Sequence, residues 1–276
     1  MEGLHAAGFI DGVNMSITWL HTEGDPTLYA ALVRALVDAR VDIIIASSGS
    51  AIREAKKATS TIPIVMAGMP DAVEAGVIQS YQHPGGNVTG MAFSNGKELR
   101  KRIELFHETF PRIPRLLVVC VPDIDGERER RIDEVKSVGR TLNIEVETPL
   151  MRTNEDVGRA LTVVGSNEGI VLLGYTLAWA NTPAIIRFAA TTKTPVVYSR
   201  LNDVEDGGLM SYGSNRHEIR VGVGRYVRKI VDGARPSDIA VSEPELYDLG
   251  INLRTATQSG FTLPSSVLAM ANKVIK

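Results

Sequence analysis

Two rhythms of apolar and polar positions alternate along the chain. Short apolar runs recur at residues 41–46, 62–66, 116–121, 169–174 and 195–199. Runs of this kind are what strands covered on both faces require. Between them, apolar residues recur every three or four positions, as on one face of a helix. Residues 96–110 carry Leu99, Ile103, Phe106 and Phe110 in this spacing, and residues 215–231 carry Ile219, Val223, Tyr226, Val227 and Ile230. Helices are also predicted from Asp25 and Pro26 (through Leu28, Leu32, Leu36 and Val37), over 51–59, in a short piece from Asp71, and over 127–142, 155–164, 182–191 and 264–274. Further strands are predicted at 13–19, 87–91, 144–149, 208–212 and 246–251, with a turn at the HPGGN of 83–87.

Strands alternating with helices predict an α/β fold with parallel sheets and helices on both faces. The series runs twice, with a seam near 90–95, so two sheets are expected, each with its own core. No linker rich in Ser, Pro or Gly separates them, which predicts lobes that pack closely or share crossovers.

Composition narrows the partners. Of 276 residues, 44% are hydrophobic and 22% charged, and 30 Lys+Arg against 32 Asp+Glu leave a net charge of −2. Without a basic surplus, nucleic acid and anionic membranes are not expected partners. One cysteine, Cys120, excludes an internal disulfide. It ends an apolar run and reads as a small buried hydrophobe more readily than as a nucleophile. No apolar run reaches the about 18 residues of a spanning helix, and residues 1–8 have no signal-peptide pattern.

Enzyme signatures are wanting. Walker A and G-x-S-x-G do not occur. Gly222-Val223-Gly224 lacks the third glycine of a dinucleotide fingerprint and lies inside a predicted helix. The five histidines, His5, His21, His83, His107 and His217, form no H-x-x-x-H or H-E-x-x-H pair, so no metal site is expected. The charged run 123–134 reads as a solvated helix face. No catalytic residue and no cofactor are expected.

What remains is a set of polar loops at strand C-termini, where doubly wound sheets bind ligands. Ser47, Ser48, Gly49 and Ser50 join a buried strand to a helix, and hydroxyls with free N–H groups at a helix start suit a carboxylate. Plain N-capping by one serine competes with that reading. Asp71 suits a ligand ammonium, or caps the next helix. Tyr175 and Trp179 suit stacking on a planar or apolar solute, with core packing the alternative for Trp179. The loop 198–208 holds Tyr198 and Glu205 and reads as a cleft rim, a hinge or a surface loop.

These elements carry a family resemblance. The TSTIPIV of 59–65, the DAV of 71–73, the PGGNVTG of 84–90, the GGLMSYG of 207–213 and the GINLRTA of 250–256, followed by Gly260, Leu263 and Pro264, stand in order through nearly the whole chain. Together they resemble the bacterial ABC-transporter substrate-binding proteins that include tryptophan/tyrosine-type binders. The resemblance implies a type I periplasmic-binding fold of two Rossmann-like lobes with a ligand cleft between them, closing by a hinge motion. It implies lobe one at 1–93 and 209–233, and lobe two at 94–208 and 234–276. It further implies a small solute, an amino acid or related carboxylate, an ABC permease as partner, an extracytoplasmic location (periplasmic or lipid-anchored) and a monomer. Serines 47, 48 and 50 would hold the carboxylate, Asp71 or Glu205 the ammonium, and Tyr175, Trp179, Tyr198 and Tyr212 the apolar walls. Residues 8–12 match the turn after the family's first helix, so the first strand is expected to be missing. Ala72 stands where the family has proline, and 175–179 departs from its common acidic form. The competing expectation is a cytoplasmic enzyme or a ligand-sensing regulatory domain on the same fold.

Overall fold

A computed structural model describes residues 1–22, 26–119 and 127–276. The chain opens with α1 (Glu2–Ala6) and, after a 3-10 turn at Pro26–Leu28, α2 (Tyr29–Asp38). Next come β1 (Ile44–Ala46), α3 (Gly49–Ala58), β2 (Ile64–Pro70) and β3 (Val88–Phe93). The alternation continues with α4 (Asn95–Thr109), β4 (Arg115–Val119), α5 (Glu127–Leu142), β5 (Glu145–Glu147), α6 (Asn154–Thr162) and β6 (Glu168–Leu172). Then follow α7 (Thr176–Thr192), β7 (Val196–Tyr198), α8 (Leu201–Glu205), β8 (Met210–Ser214) and α9 (Arg216–Val231). The chain closes with β9 (Tyr247–Asn252), α10 (Leu253–Ser259), α11 (Ser265–Met270) and β10 (Lys273–Ile275).

Contacts divide the chain into two compact units, Met1–Ser94 with Asn215–Leu246, and Asn95–Ser214 with Tyr247–Lys276. The chain passes between them at 94/95, 214/215 and 246/247, where the family pattern put the later two passages at 208/209 and 233/234. The strand around Tyr212 stays in the second unit because β8 is paired on both sides, by β7 and by β9. Residues 235–246 stay in the first because Ala92 N–H donates to the Ser242 carbonyl (2.9 Å) and Val241 N–H to the Tyr81 carbonyl (2.7 Å).

The first unit is built on a three-stranded sheet, β1-β2-β3, in which both pairings are parallel. Ile44, Ile52, Ile64, Met66 and Val88 form one buried cluster; Leu4, Phe9, Val65, Met91, Ile219 and Val223 form another. Successive strand residues feed opposite clusters, as the two-fold alternation of a strand requires. Here the glycines of 222–224 acquire a mechanical meaning. A Cβ on Gly224 would fall 1.7 Å from the Gly3 carbonyl oxygen, and one on Gly222 would fall 2.6 Å from Met91 Sδ. They let α9 close onto α1 and β3.

Two expectations for this unit need correction. Residues 13–19 form no strand: Asp11 and Met15 share one isolated bridge, and Val13 and Trp19 are 77% and 59% exposed. Alternating polarity needs a neighbouring strand to become a ladder, and none lies alongside among the described residues. The helix expected from Asp71 is a run of turns over 71–76. Asp25, proposed to open a helix, lies outside the described residues.

The second unit holds a seven-stranded sheet in the order β10-β9-β8-β7-β6-β4-β5. Its pairings are parallel except β8 with β9, which is antiparallel, so the sheet is mixed where a parallel one was expected. Phe106, Leu116, Val118, Val171 and Ile251 fill one cluster, and Leu117, Ile170, Leu172, Ile185 and Val196 the other. The loop expected over 198–208 contains α8, whose start is fixed by Asp203 accepting the Arg200 backbone N–H (3.1 Å). The last predicted helix is cut to α11, and residues 273–275 pair with β9 instead. Cys120 and the first part of the run 123–134 lie outside the described residues.

Candidate functional site

In the first unit, the carboxyl ends of β1 and β2 carry the candidate polar groups. Ser48 is the N-cap of α3, and its Oγ accepts the Ala51 N–H (3.2 Å). That contact meets the capping role in full and leaves Ser47, which is exposed, and Ser50 and Gly49, in the first turn, without a capping task. Ile52 and Ala55, fully buried, hold the helix down on the sheet. Lys56 Nζ donates to the Gly76 and Val77 carbonyls (2.6 and 2.8 Å), tying α3 to the turns that follow Asp71.

Asp71 follows the last residue of β2 and is 6% exposed. It adopts φ +46°, a left-handed conformation that Asp tolerates better than most residues. Its N–H donates to the Phe93 carbonyl (2.9 Å), so the end of β3 fixes it. The serine loop and Asp71 lie on adjacent parallel strands, and a Cβ on Gly49 would stand 3.5 Å from Met69 Sδ, two residues before Asp71.

One residue here escaped the sequence reading. The Arg53 guanidinium folds back over the start of α3, with Nη1 and Nη2 at 3.4 and 3.7 Å from where a Gly49 Cβ would stand. Side chains on a helix lean toward its N-terminus, which brings i+4 over i. No carboxylate pairs with Arg53 among the described residues. A cation beside the positive end of a helix is unfavourable unless an anion joins it. The available signal was the Gly-x-x-x-Arg spacing immediately after the serines.

In the second unit, the carboxyl ends of β6 and β7 lie side by side. Tyr175 precedes α7 and Trp179 lies in its first turns, both half-buried. Trp179 Nε1 donates to Ser199 Oγ (3.0 Å), and the Arg200 guanidinium carbon stands 5.2 Å from the Trp179 ring centroid. Ser199 and Arg200 follow β7, so this cluster joins two strand ends. Tyr212 is half-buried in β8 and stacked on Tyr247, with ring centroids 5.5 Å apart and planes 2° from parallel. Burial pushes its phenol above the ordinary value.

Beneath this edge runs a buried ionic network. Glu98 accepts from Arg102 Nη2 and from the Ser214 hydroxyl and N–H. Arg102, fully buried, also donates through Nε to the Tyr212 carbonyl (2.6 Å) and through Nη1 to the Leu172 carbonyl (3.3 Å). It ties the ends of β6 and β8 to α4. Burial lowers its pKa, opposed by the adjacent Glu98 carboxylate.

Two of the sequence candidates do not reach this edge. Tyr198 is fully buried, and its hydroxyl has no hydrogen-bond partner among the described residues. It borders a small cavity with Ile186, Leu209, Thr255 and Phe261, and burial drives its pKa far up. In a strand, alternate side chains face opposite sides, and Tyr198 joins Val196 in the cluster of Leu117, Ile170, Leu172 and Ile185. Glu205 ends α8, next to Val204, whose carbonyl accepts from Asn252 Nδ2 (3.1 Å), and it faces Lys273 at 3.8 Å. Because Asn252 pairs with Leu209, Glu205 sits at the amino end of β8, opposite Trp179.

Among the described residues no group of three His, Cys, Asp or Glu is placed to hold a metal ion, and no helix is long and apolar enough to cross a membrane.

Comparison with known proteins gives these edges a context. A tyrosine-binding protein of Clostridioides difficile (strain R20291) is 25% identical over 253 residues, covering 91% of this chain and 72% of its own. The crystal structure of an ABC domain in complex with L-Trp from Streptococcus pneumonia superposes with a TM-score of 0.90 at 25% identity, over 99% of this chain and 92% of the other. A conserved domain protein from Vibrio cholerae gives a TM-score of 0.91 at 27% identity, over 99% and 92%. The folds matched are type I periplasmic-binding folds. A family model for ABC transporter substrate binding proteins matches residues 1–275, and the chain belongs to that family.

Proposed function

We propose that this protein captures an aromatic amino acid, or a close analogue, outside the cytoplasm and delivers it as a monomer to an ABC permease. The observation that carries the reading is the pairing of opposite charges at the carboxyl edge of the first unit. The start of α3, with Ser47, Ser48, Gly49, Ser50 and Arg53, suits a carboxylate. Asp71, on the next strand, suits an ammonium. An α-amino acid carries both groups on one carbon. In the second unit, considered by itself, Tyr175, Trp179 and Tyr212 are aromatic surfaces suited to a ring. The tyrosine-binding relative and the L-Trp complex support this choice of solute.

Binding without turnover fits the family. The two compact units are then the two lobes expected from the sequence, and Tyr198 and Glu205 leave the proposed site.

Isothermal titration with tyrosine, tryptophan, phenylalanine, leucine, succinate and ribose tests the reading. One site is expected, for the aromatic amino acids, weakened on the order of tenfold or more by Asp71→Asn, since a hydrogen bond to a charged group contributes about 1.5–3 kcal/mol. Unchanged affinity for every ligand in both Asp71→Asn and Ser48→Asp would remove the first-unit site.

A further inference from the structure

We propose that Arg200 is a specificity-determining residue, its guanidinium plane continuing the Trp179 stack onto a planar ring of the solute. The inference rests on the amino-acid reading above and adds the residue that selects the ring.

Arg200 is held from two sides before any solute arrives. Asp203, fully buried, accepts from its Nε (3.1 Å) and Nη2 (2.6 Å) and from its backbone N–H. The guanidinium carbon stands over the Trp179 ring, 5.2 Å from its centroid, and Trp179 is itself fixed through Nε1 on Ser199 Oγ. Ser199 is 6% exposed, so that anchor is set in the core edge. An arginine side chain ordinarily gives up rotamer entropy when it binds, and here the folded chain has already ordered it.

The group is ordered but not used up. Its side chain remains 28% exposed, and Nη1 has no acceptor among the described residues. A planar cation over an indole, held along one edge by a carboxylate and still partly exposed, can stack on a further π-system. Guanidinium stacks on aromatic rings in a way that an ammonium, a compact point charge, does not reproduce. An aliphatic side chain gains nothing comparable there.

The test uses the full chain carrying Trp19→Phe, which leaves Trp179 as its one tryptophan. Tyrosine, phenylalanine and leucine are titrated calorimetrically and by Trp179 emission, with and without Arg200→Lys and Arg200→Met. Cooperative unfolding of each variant is checked first, and the lysine variant keeps the charge if the methionine variant does not fold. The expected result is a loss on the order of tenfold for tyrosine and phenylalanine in Arg200→Lys, with leucine unchanged and the ligand-induced emission change reduced. An Arg200→Lys protein that keeps the full preference for ring solutes would overturn the proposal and leave the amino-acid reading standing. A parent chain that binds none of the three amino acids would overturn that reading, and this proposal with it.

Discussion

Ser48 has two roles that different substitutions separate. As N-cap it supports α3, so Ser48→Ala is expected to cost about 1 kcal/mol in denaturant unfolding. Aspartate caps as well as serine does, so Ser48→Asp is expected to unfold like the parent while losing affinity for a carboxylate-bearing solute; equal affinity would show that the loop only caps. A second residue ties the fold to pH. Asp156 accepts from the Arg152 and Thr153 N–H groups at the start of α6, and those bonds hold its pKa below the usual value. Folding therefore binds fewer protons there than the unfolded chain does. The stabilisation is present above the unfolded value of about 3.9 and is lost as pH falls through the folded one. Asp156→Asn is expected to lower the thermal midpoint at pH 7, with the gap closing below about pH 4; a gap unchanged at pH 3 would contradict this. At this scale, the capping position of Ser48 was legible because it follows the end of an apolar run. The burial of Tyr198 was not, because an aromatic residue at a strand end reads equally as a cleft wall or as core, and only the fold places it in the cluster of Ile170 and Ile185. Arg53 and Arg200 gain their interest from Gly49, Trp179 and Asp203, which only the fold brings to them.

Between elements, close approaches and buried charges set the tolerance to change. Gly90 in β3 has φ +130°, and a Cβ there would fall 2.5 Å from the Met66 backbone N and O. Gly90→Ala is expected to cost about 3 kcal/mol or more, from backbone strain and crowding together, measurable by urea unfolding. Glu98→Gln removes the charge facing a fully buried Arg102. Breaking such a pair is expected to cost about 3–5 kcal/mol; a loss below 1 kcal/mol would mean that the Tyr212 and Leu172 carbonyls suffice for Arg102. Long amphipathic helices were readable from the chain, and α5 and α9 fall close to their expected limits, since a helix announces its buried face every three or four residues. Strand partners are less legible. The pattern of 246–251 identifies a strand without showing that β9 runs against β8, and that of 13–19 suggests one that joins no sheet among the described residues. In 201–205 the polar surface of a short helix passed for a loop.

Over the whole molecule, the doubled alternation of strands and helices conveyed the α/β class and two cores, and the ordered motifs conveyed the family. The later passages of the chain between units were not legible, because they depend on β8 pairing with β9 and on residues 235–246 clasping β3. The central claim, that the native chain binds an aromatic amino acid, is tested most directly by thermal unfolding of the purified protein with and without tyrosine and tryptophan. A ligand held by the native state alone adds about 2.7 kcal/mol at a hundred times its Kd, roughly a 5–10 °C rise in midpoint for a chain of this size. The account predicts that rise with an aromatic amino acid and none with ribose or succinate. A cooperative transition that neither amino acid moves at millimolar concentration would contradict it.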